Sequence, residues 1–223
     1  MTAKLLLQAI FKFLVGVILV GGLLFFSAGT LNYWNGWLLM GILFAPMFIA
    51  GIVMMIKSPE LLKKRLNAKE KLKTQSLVIK LSGLMFIVGF VLSGLNFRFG
   101  WHFLPRGVCI VGAIVFLFAY AIFAEVLREN AYLSRTIEVQ ENQKVIDTGL
   151  YKIVRHPMYS ASVFLFLAMP IVLGSLIAFV VFLAYPFIIS ARIKSEETFL
   201  EKELAGYSEY KTKVKYRLIP FIW

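Results

Sequence analysis

Two short stretches carry residue types that can do chemistry together. Residues 149–159 read GLYKIVRHPMY, and residues 191–200 read ARIKSEETFL. Pro157 suits the first turn of a helix, where its missing N–H costs nothing. Arg155 and His156 then stand at the helix entrance, with Tyr159 about half a turn inside. Backbone N–H groups at a helix start favour an anion such as a carboxylate. Arg192 and Glu196 are four residues apart, so on a helix they share one face. A guanidinium can orient a carboxylate by a bidentate contact. Glu196, Glu197 or His156 can take the proton of an amine. Each stretch alone also has a plainer explanation: Arg155 snorkels to headgroups while Tyr159 joins an aromatic belt, and Arg192–Glu196 is a surface ion pair.

The setting is a membrane. The chain has 223 residues, 60% of them hydrophobic and only 16% charged, with a mean hydropathy of +0.80. Soluble domains carry about 25% charged residues. Too little polar surface is present to clothe a water-soluble globule, and the same composition excludes disorder or a disulfide-stapled fold. Cys109 is the single cysteine, and two histidines cannot build a Cys/His zinc cage, so no metal is expected. The net charge of +12 is explained by a bilayer surface better than by nucleic acid, which is not an expected partner.

Spanning the hydrocarbon takes about 20 apolar residues. Stretches 5–26, 35–56, 77–95 and 107–127 qualify. The first exceeds a signal-peptide core and reads as an anchor span. A fifth tract, 161–190, is too long for one upright helix and is interrupted by Pro170, Gly174 and Ser175, which suit a hairpin tip. The expected fold is therefore an all-α integral membrane protein of about six transmembrane helices, the last two forming a helical hairpin. The loops near 27–34, 96–106 and 174 hold only Arg98 and Arg106 of the 24 basic residues. The positive-inside rule then puts both termini and all three polar stretches (57–76, 128–157 and 191–223) in the cytoplasm. The first of these reads as a basic, helical loop held to anionic headgroups.

Both hairpin legs end at the cytoplasmic face, which brings Arg155–Tyr159 near Arg192–Glu197. Two polar clusters converging beside an apolar bundle describe a pocket with a polar floor and lipid-accessible walls. The chain divides on this reading into N-terminal transmembrane helices, 1–127, and a catalytic region, 128–223.

The motifs GLYKIVRHPMY (149–159), EETFL (196–200) and GYSEYKTKVKYRLIPF (206–221), in that order around an apolar hairpin, resemble the isoprenylcysteine carboxyl methyltransferase and phospholipid methyltransferase families. The resemblance covers roughly the last 80 residues. It implies S-adenosyl-L-methionine as cofactor, bound in a cytoplasmic pocket without a Rossmann fold; no glycine-rich strand-to-helix fingerprint is present. By motif, Tyr151, His156, Pro157, Met158 and Tyr159 line the cofactor pocket, and Gln143, Lys144, Val145 and Ile146 contact the cofactor through backbone. Glu196 holds it, with Glu197 beside it, and Arg192 faces the acceptor. Arg155, Arg192 and Glu196 are the candidate catalytic residues. One departure is Ser160-Ala161, where the family often has glycine two residues after the tyrosine of the RHPxY element.

The implied reaction is methylation of a lipid-borne or hydrophobic acceptor, a small molecule or peptide, at a carboxylate resembling that of a prenylcysteine. A carboxylate is already nucleophilic at pH 7 and needs no base, whereas an amine, as in phosphatidylethanolamine, must first lose a proton. Two rival readings remain. Membrane sterol reductases that use NADPH carry a similar arginine-histidine-proline-x-tyrosine element. A membrane scaffold or transporter would place polar groups nearer mid-bilayer.

Overall fold

The computed structural model describes residues 3–66, 73–133 and 139–223. Parts of two polar stretches, 67–72 and 134–138, lie outside the described residues. The described chain is helical, with no strand beyond one isolated bridge. In order come α1 (Ala3–Ala28), α2 (Trp34–Lys57), α3 (Pro59–Leu66), α4 (Lys73–Phe99), α5 (Arg106–Glu129), α6 (Pro157–Val172), α7 (Leu176–Phe182), α8 (Tyr185–Glu203) and α9 (Tyr207–Lys213). Helix is what an apolar chain must form in lipid, because each backbone N–H and C=O then finds a partner within its own segment.

Helices α1, α2, α4 and α5, and the path Leu176–Glu203, are long and apolar enough to cross a membrane. The four long N-terminal helices fall where hydropathy places them. At 16 residues, α6 spans about 24 Å, short of the roughly 30 Å hydrocarbon core. The hairpin forms as expected, with its tip at Gly174 and Ser175. Pro170 lies inside α6, and the turn is made by Leu173, Gly174 and Ser175. Gly174 has φ +74°, and a Cβ there would lie 2.7 Å from the Phe103 ring, so only glycine suits the turn. The return leg breaks at Leu183–Ala184, and Pro186 sits in the first turn of α8.

The loops that the charge pattern groups together do meet. Tyr33 Oη donates to Leu173 O at 2.6 Å, Asn35 Nδ2 to Val172 O at 2.7 Å, and Leu104 N to Gly174 O at 2.9 Å. These donors satisfy carbonyls at the end of α6 that no helical N–H can reach. Arg106 covers the Trp34 ring at this end. At the opposite end, Lys12 donates to Leu66 O, Lys64 to Gln140 Oε1, and Arg65 to Met158 Sδ at 3.6 Å. The short basic helix α3, the part of the 57–76 stretch that is described as separate from α4, thus packs against the site end of the bundle.

Large apolar side chains such as Phe11, Ile18, Phe48, Ile56, Phe118 and Val180 face outward, as lipid contact requires. The interior is drawn tight by small residues. A Cβ on Gly94 of α4 would lie 2.6 Å from Leu24 O of α1, and one on Gly112 of α5 would lie 2.7 Å from Ile171 of α6. One apolar core runs from Leu24 to Leu218. A second cluster, holding Val126, Tyr151, Leu204, Tyr207, Tyr210 and Val214, closes the polar end.

Candidate active site

The expected helix start at the RHP element is present. His156 is the N-cap of α6 and Pro157 its first residue. Tyr159, half a turn on, reaches the return leg. Its hydroxyl donates to Glu196 Oε2 at 2.6 Å and accepts from Arg192 Nε at 2.8 Å. Arg192 also lies over the Tyr159 ring, 5.9 Å from its centroid, and its carbonyl accepts from the fully buried Gln75 of α4. One phenol therefore joins the arginine and the glutamate that the i,i+4 spacing puts on one face.

Glu197 points elsewhere, as consecutive helical residues must, being about 100° apart. Its Oε1 accepts from Arg155 Nε at 2.7 Å and lies 3.2 Å from His156 Nε2, and its Oε2 accepts from Arg217 Nε at 2.9 Å. Only 2% of Glu197 is exposed, a burial that a carboxylate tolerates only when paired and hydrogen-bonded. Arg155 Nη1 also donates to Val214 O and Lys215 O. The tail completes the arrangement through its backbone: Arg155 N donates to Tyr216 O and His156 N to Arg217 O, each at 2.9 Å. Ser160 Oγ donates to Leu218 O at 2.6 Å. Ser160 is thus a fastening for the tail, and Ala161, which stands where the family often has glycine, is fully buried.

Between these groups lies an open-sided cavity whose empty space, open solvent included, is about 850 Å3. Gln143, Lys144, Val145, Ile146, Tyr151, Arg155, His156, Pro157, Met158, Tyr159, Arg192 and Glu196 line it. Glu197 is the one candidate that does not; it stands behind the wall, tied to Arg155, His156 and Arg217. Sequence reasoning left out Asn130, Tyr132, Leu133, Leu200, Leu204, Tyr207 and Tyr210, which complete the lining. A signal existed for two of them. Tyr207 and Tyr210 are three apart in the GYSEYK segment, hence neighbours on one helix face, and Gly206 turns the chain into α9 with φ +83°.

The tyrosines are neutral donors. Burial pushes the Tyr151 phenol up to about 12, and burial likewise raises Tyr207 and Tyr210. Tyr151 Oη accepts from Asn130 Nδ2 at 2.9 Å, and Tyr210 Oη donates to Tyr151 O at 2.7 Å. Tyr207 is 4% exposed, and among the described residues its hydroxyl has no hydrogen-bond partner.

Residues 108–206 match the family described as phospholipid methyltransferase. Over that stretch the chain is similar to this family, which belongs with the integral membrane methyltransferases that the sequence motifs resemble. No curated protein matches it significantly. The methyltransferase segment takes in α5 to α8 and the intervening loop, and with them most of the cavity wall. It stops one residue before Tyr207, so α9 and the tail bonds to Arg155 and His156 lie beyond it. Methyltransferases of this kind imply S-adenosylmethionine as donor, and the donor set here fits such a molecule. Glu196 offers a carboxylate to hydroxyl or ammonium groups, the 143–146 segment lies along one side, and tyrosine rings with Met158, Leu200 and Leu204 offer apolar surface to a flat base.

Proposed function

We propose that the chain is an S-adenosylmethionine-dependent membrane methyltransferase whose acceptor is a lipid-borne or hydrophobic carboxylate. The observation that carries this reading is the Arg192–Tyr159–Glu196 chain of hydrogen bonds across the hairpin, at the wall of an open-sided cavity. When bound, the cofactor supplies a methyl group on a sulfonium, which is already a good leaving group. The protein's tasks are then positioning and exclusion of water.

Glu196, half-buried on α8, holds the cofactor, with residues 143–146 and the 156–159 turn on the facing wall. Arg192 orients the acceptor carboxylate, its stem along the apolar α8 and its planar fork toward the acid. No proton has to move, because the acceptor oxygen is ionised before it meets the cavity. Arg155 and Glu197 act as positioning residues, holding the start of α6 against the tail. Residues 128–223 carry the chemistry on this reading and 1–127 the lipid-facing scaffold, with six crossings and the cavity on the cytoplasmic side.

An amine acceptor is the second reading, favoured by the family description. Glu196 would then receive the amine proton. One experiment separates the two: incubation of the detergent-purified protein with radiolabelled S-adenosylmethionine and membrane extract. A carboxylate acceptor yields a base-labile methyl ester that releases labelled methanol. An amine acceptor yields a base-stable label on a phospholipid headgroup. No transfer, together with stabilisation by NADPH, would replace both readings with the reductase.

A further inference from the structure

Two tyrosines of α9 face the cavity, and they are not equivalent. Tyr210 is paired, since its hydroxyl donates to Tyr151 O at 2.7 Å. Tyr207, one turn earlier on the same face and equally buried, has no partner for its hydroxyl among the described residues. Folded proteins rarely leave such a group unmade, because a buried polar atom that has lost water and gained nothing is destabilising. The position is also constrained. Tyr207 opens α9 straight after the left-handed Gly206, and Tyr207 N donates to Leu204 O. Tyr207 lines the same cavity as Glu196 and Arg155, and the charges of Glu197, Glu196 and Arg155 act on it. A buried donor without a partner, on a residue that lines a cavity, suits an acceptor on a bound ligand.

We propose that Tyr207 is a cofactor-binding residue, whose hydroxyl donates a hydrogen bond to an oxygen of the ligand held beside Glu196. This rests on the methyltransferase reading and adds a contact from α9, outside the family-matched segment. Phenol is suited to the task because it stays protonated, and so remains a donor, throughout the physiological pH range.

The test compares Tyr207→Phe and Tyr210→Phe in the full-length, detergent-purified protein, using S-adenosylhomocysteine as probe. Binding is followed by isothermal titration and Tm by thermal unfolding without ligand. Tyr207→Phe removes an unpaired hydroxyl, so the ligand-free Tm should hold or rise while ligand affinity falls about tenfold. Tyr210→Phe breaks a made bond, so its ligand-free Tm should fall. A ligand-free Tm for Tyr207→Phe that drops as far as that of Tyr210→Phe would overturn the inference, as would wild-type affinity in Tyr207→Phe. Failure of the wild-type protein to bind S-adenosylhomocysteine at all would instead overturn the methyltransferase reading beneath it.

Discussion

Tyr159 and Glu196 stand on opposite legs of the hairpin, and the phenol of the first donates to the carboxylate of the second at 2.6 Å. The bond fixes the Glu196 side chain in the cavity wall and, through the same oxygen, engages Arg192 at 2.8 Å. On the proposed reading, cofactor side and acceptor side are therefore joined through one hydroxyl group.

Removing that hydroxyl should disturb both sides. In Tyr159→Phe the ring remains and both bonds are lost. S-adenosylhomocysteine affinity should fall about tenfold, equivalent to 1.4 kcal/mol, and turnover should fall further because the bond that orients Arg192 from Tyr159 is gone. Glu196→Ala and His156→Ala should each weaken binding by at least as much. Isothermal titration decides it, and unchanged affinity in all three would detach these residues from the cofactor.

Arg192 should divide affinity from rate. Arg192→Ala is expected to cut turnover at least about a hundredfold, with cofactor affinity changing no more than about threefold through loss of the Tyr159 contact. Arg192→Lys should recover only part of the rate, since an ammonium keeps the charge but not the planar fork. Paired titration and methyl-transfer kinetics give both numbers. Full recovery by lysine would remove the main support for a carboxylate acceptor.

Glu197 should behave as a stability residue. Glu197→Gln preserves shape but leaves Arg155, whose side chain is 4% exposed, without its counter-charge. Breaking a buried pair in this way costs about 3–5 kcal/mol. The ligand-free Tm should drop, and the 204–217 segment should become sensitive to limited proteolysis. A variant with wild-type Tm would show that the Val214 and Lys215 carbonyls suffice to hold Arg155.

Orientation can be read independently. Reporter fusions at residue 30 and at the C-terminus should give opposite signals, with residue 30 outside. Matching signals would mean that the number of crossings between them is even, and the six-span count wrong.

The spans were legible because lipid imposes a single demand, about 20 apolar residues per helix, and α1, α2, α4 and α5 meet it plainly. The convergence of RHPMY and EETFL was legible too, because two antiparallel legs of one hairpin must bring their outer ends together. The division of labour between Glu196 and Glu197 was not. Adjacent residues on a helix face different neighbours, and the neighbour of Glu197 is Arg217, 20 residues along the chain. The hairpin tip at Gly174 and Ser175 was legible, whereas Pro170, grouped with them in the sequence, sits inside α6, and the donors that hold the turn, Tyr33 and Asn35, come from α2 and the residue before it. Tyr207 carried no hydropathy signal of its own; its unpaired hydroxyl exists only once Gly206 has turned the chain inward.

The backbone bonds from Arg155 and His156 to Tyr216 and Arg217 set an order of events during biosynthesis. Translation as far as Leu204 has supplied α1 to α8, yet Val214, Lys215 and Arg217, which clamp Arg155 and Glu197, have still to be made. A released chain truncated after Leu204 should therefore keep its apolar helices and be unable to retain S-adenosylhomocysteine. On the proposed reading, competence arrives only with the tail, after the helices that carry the site have been translated.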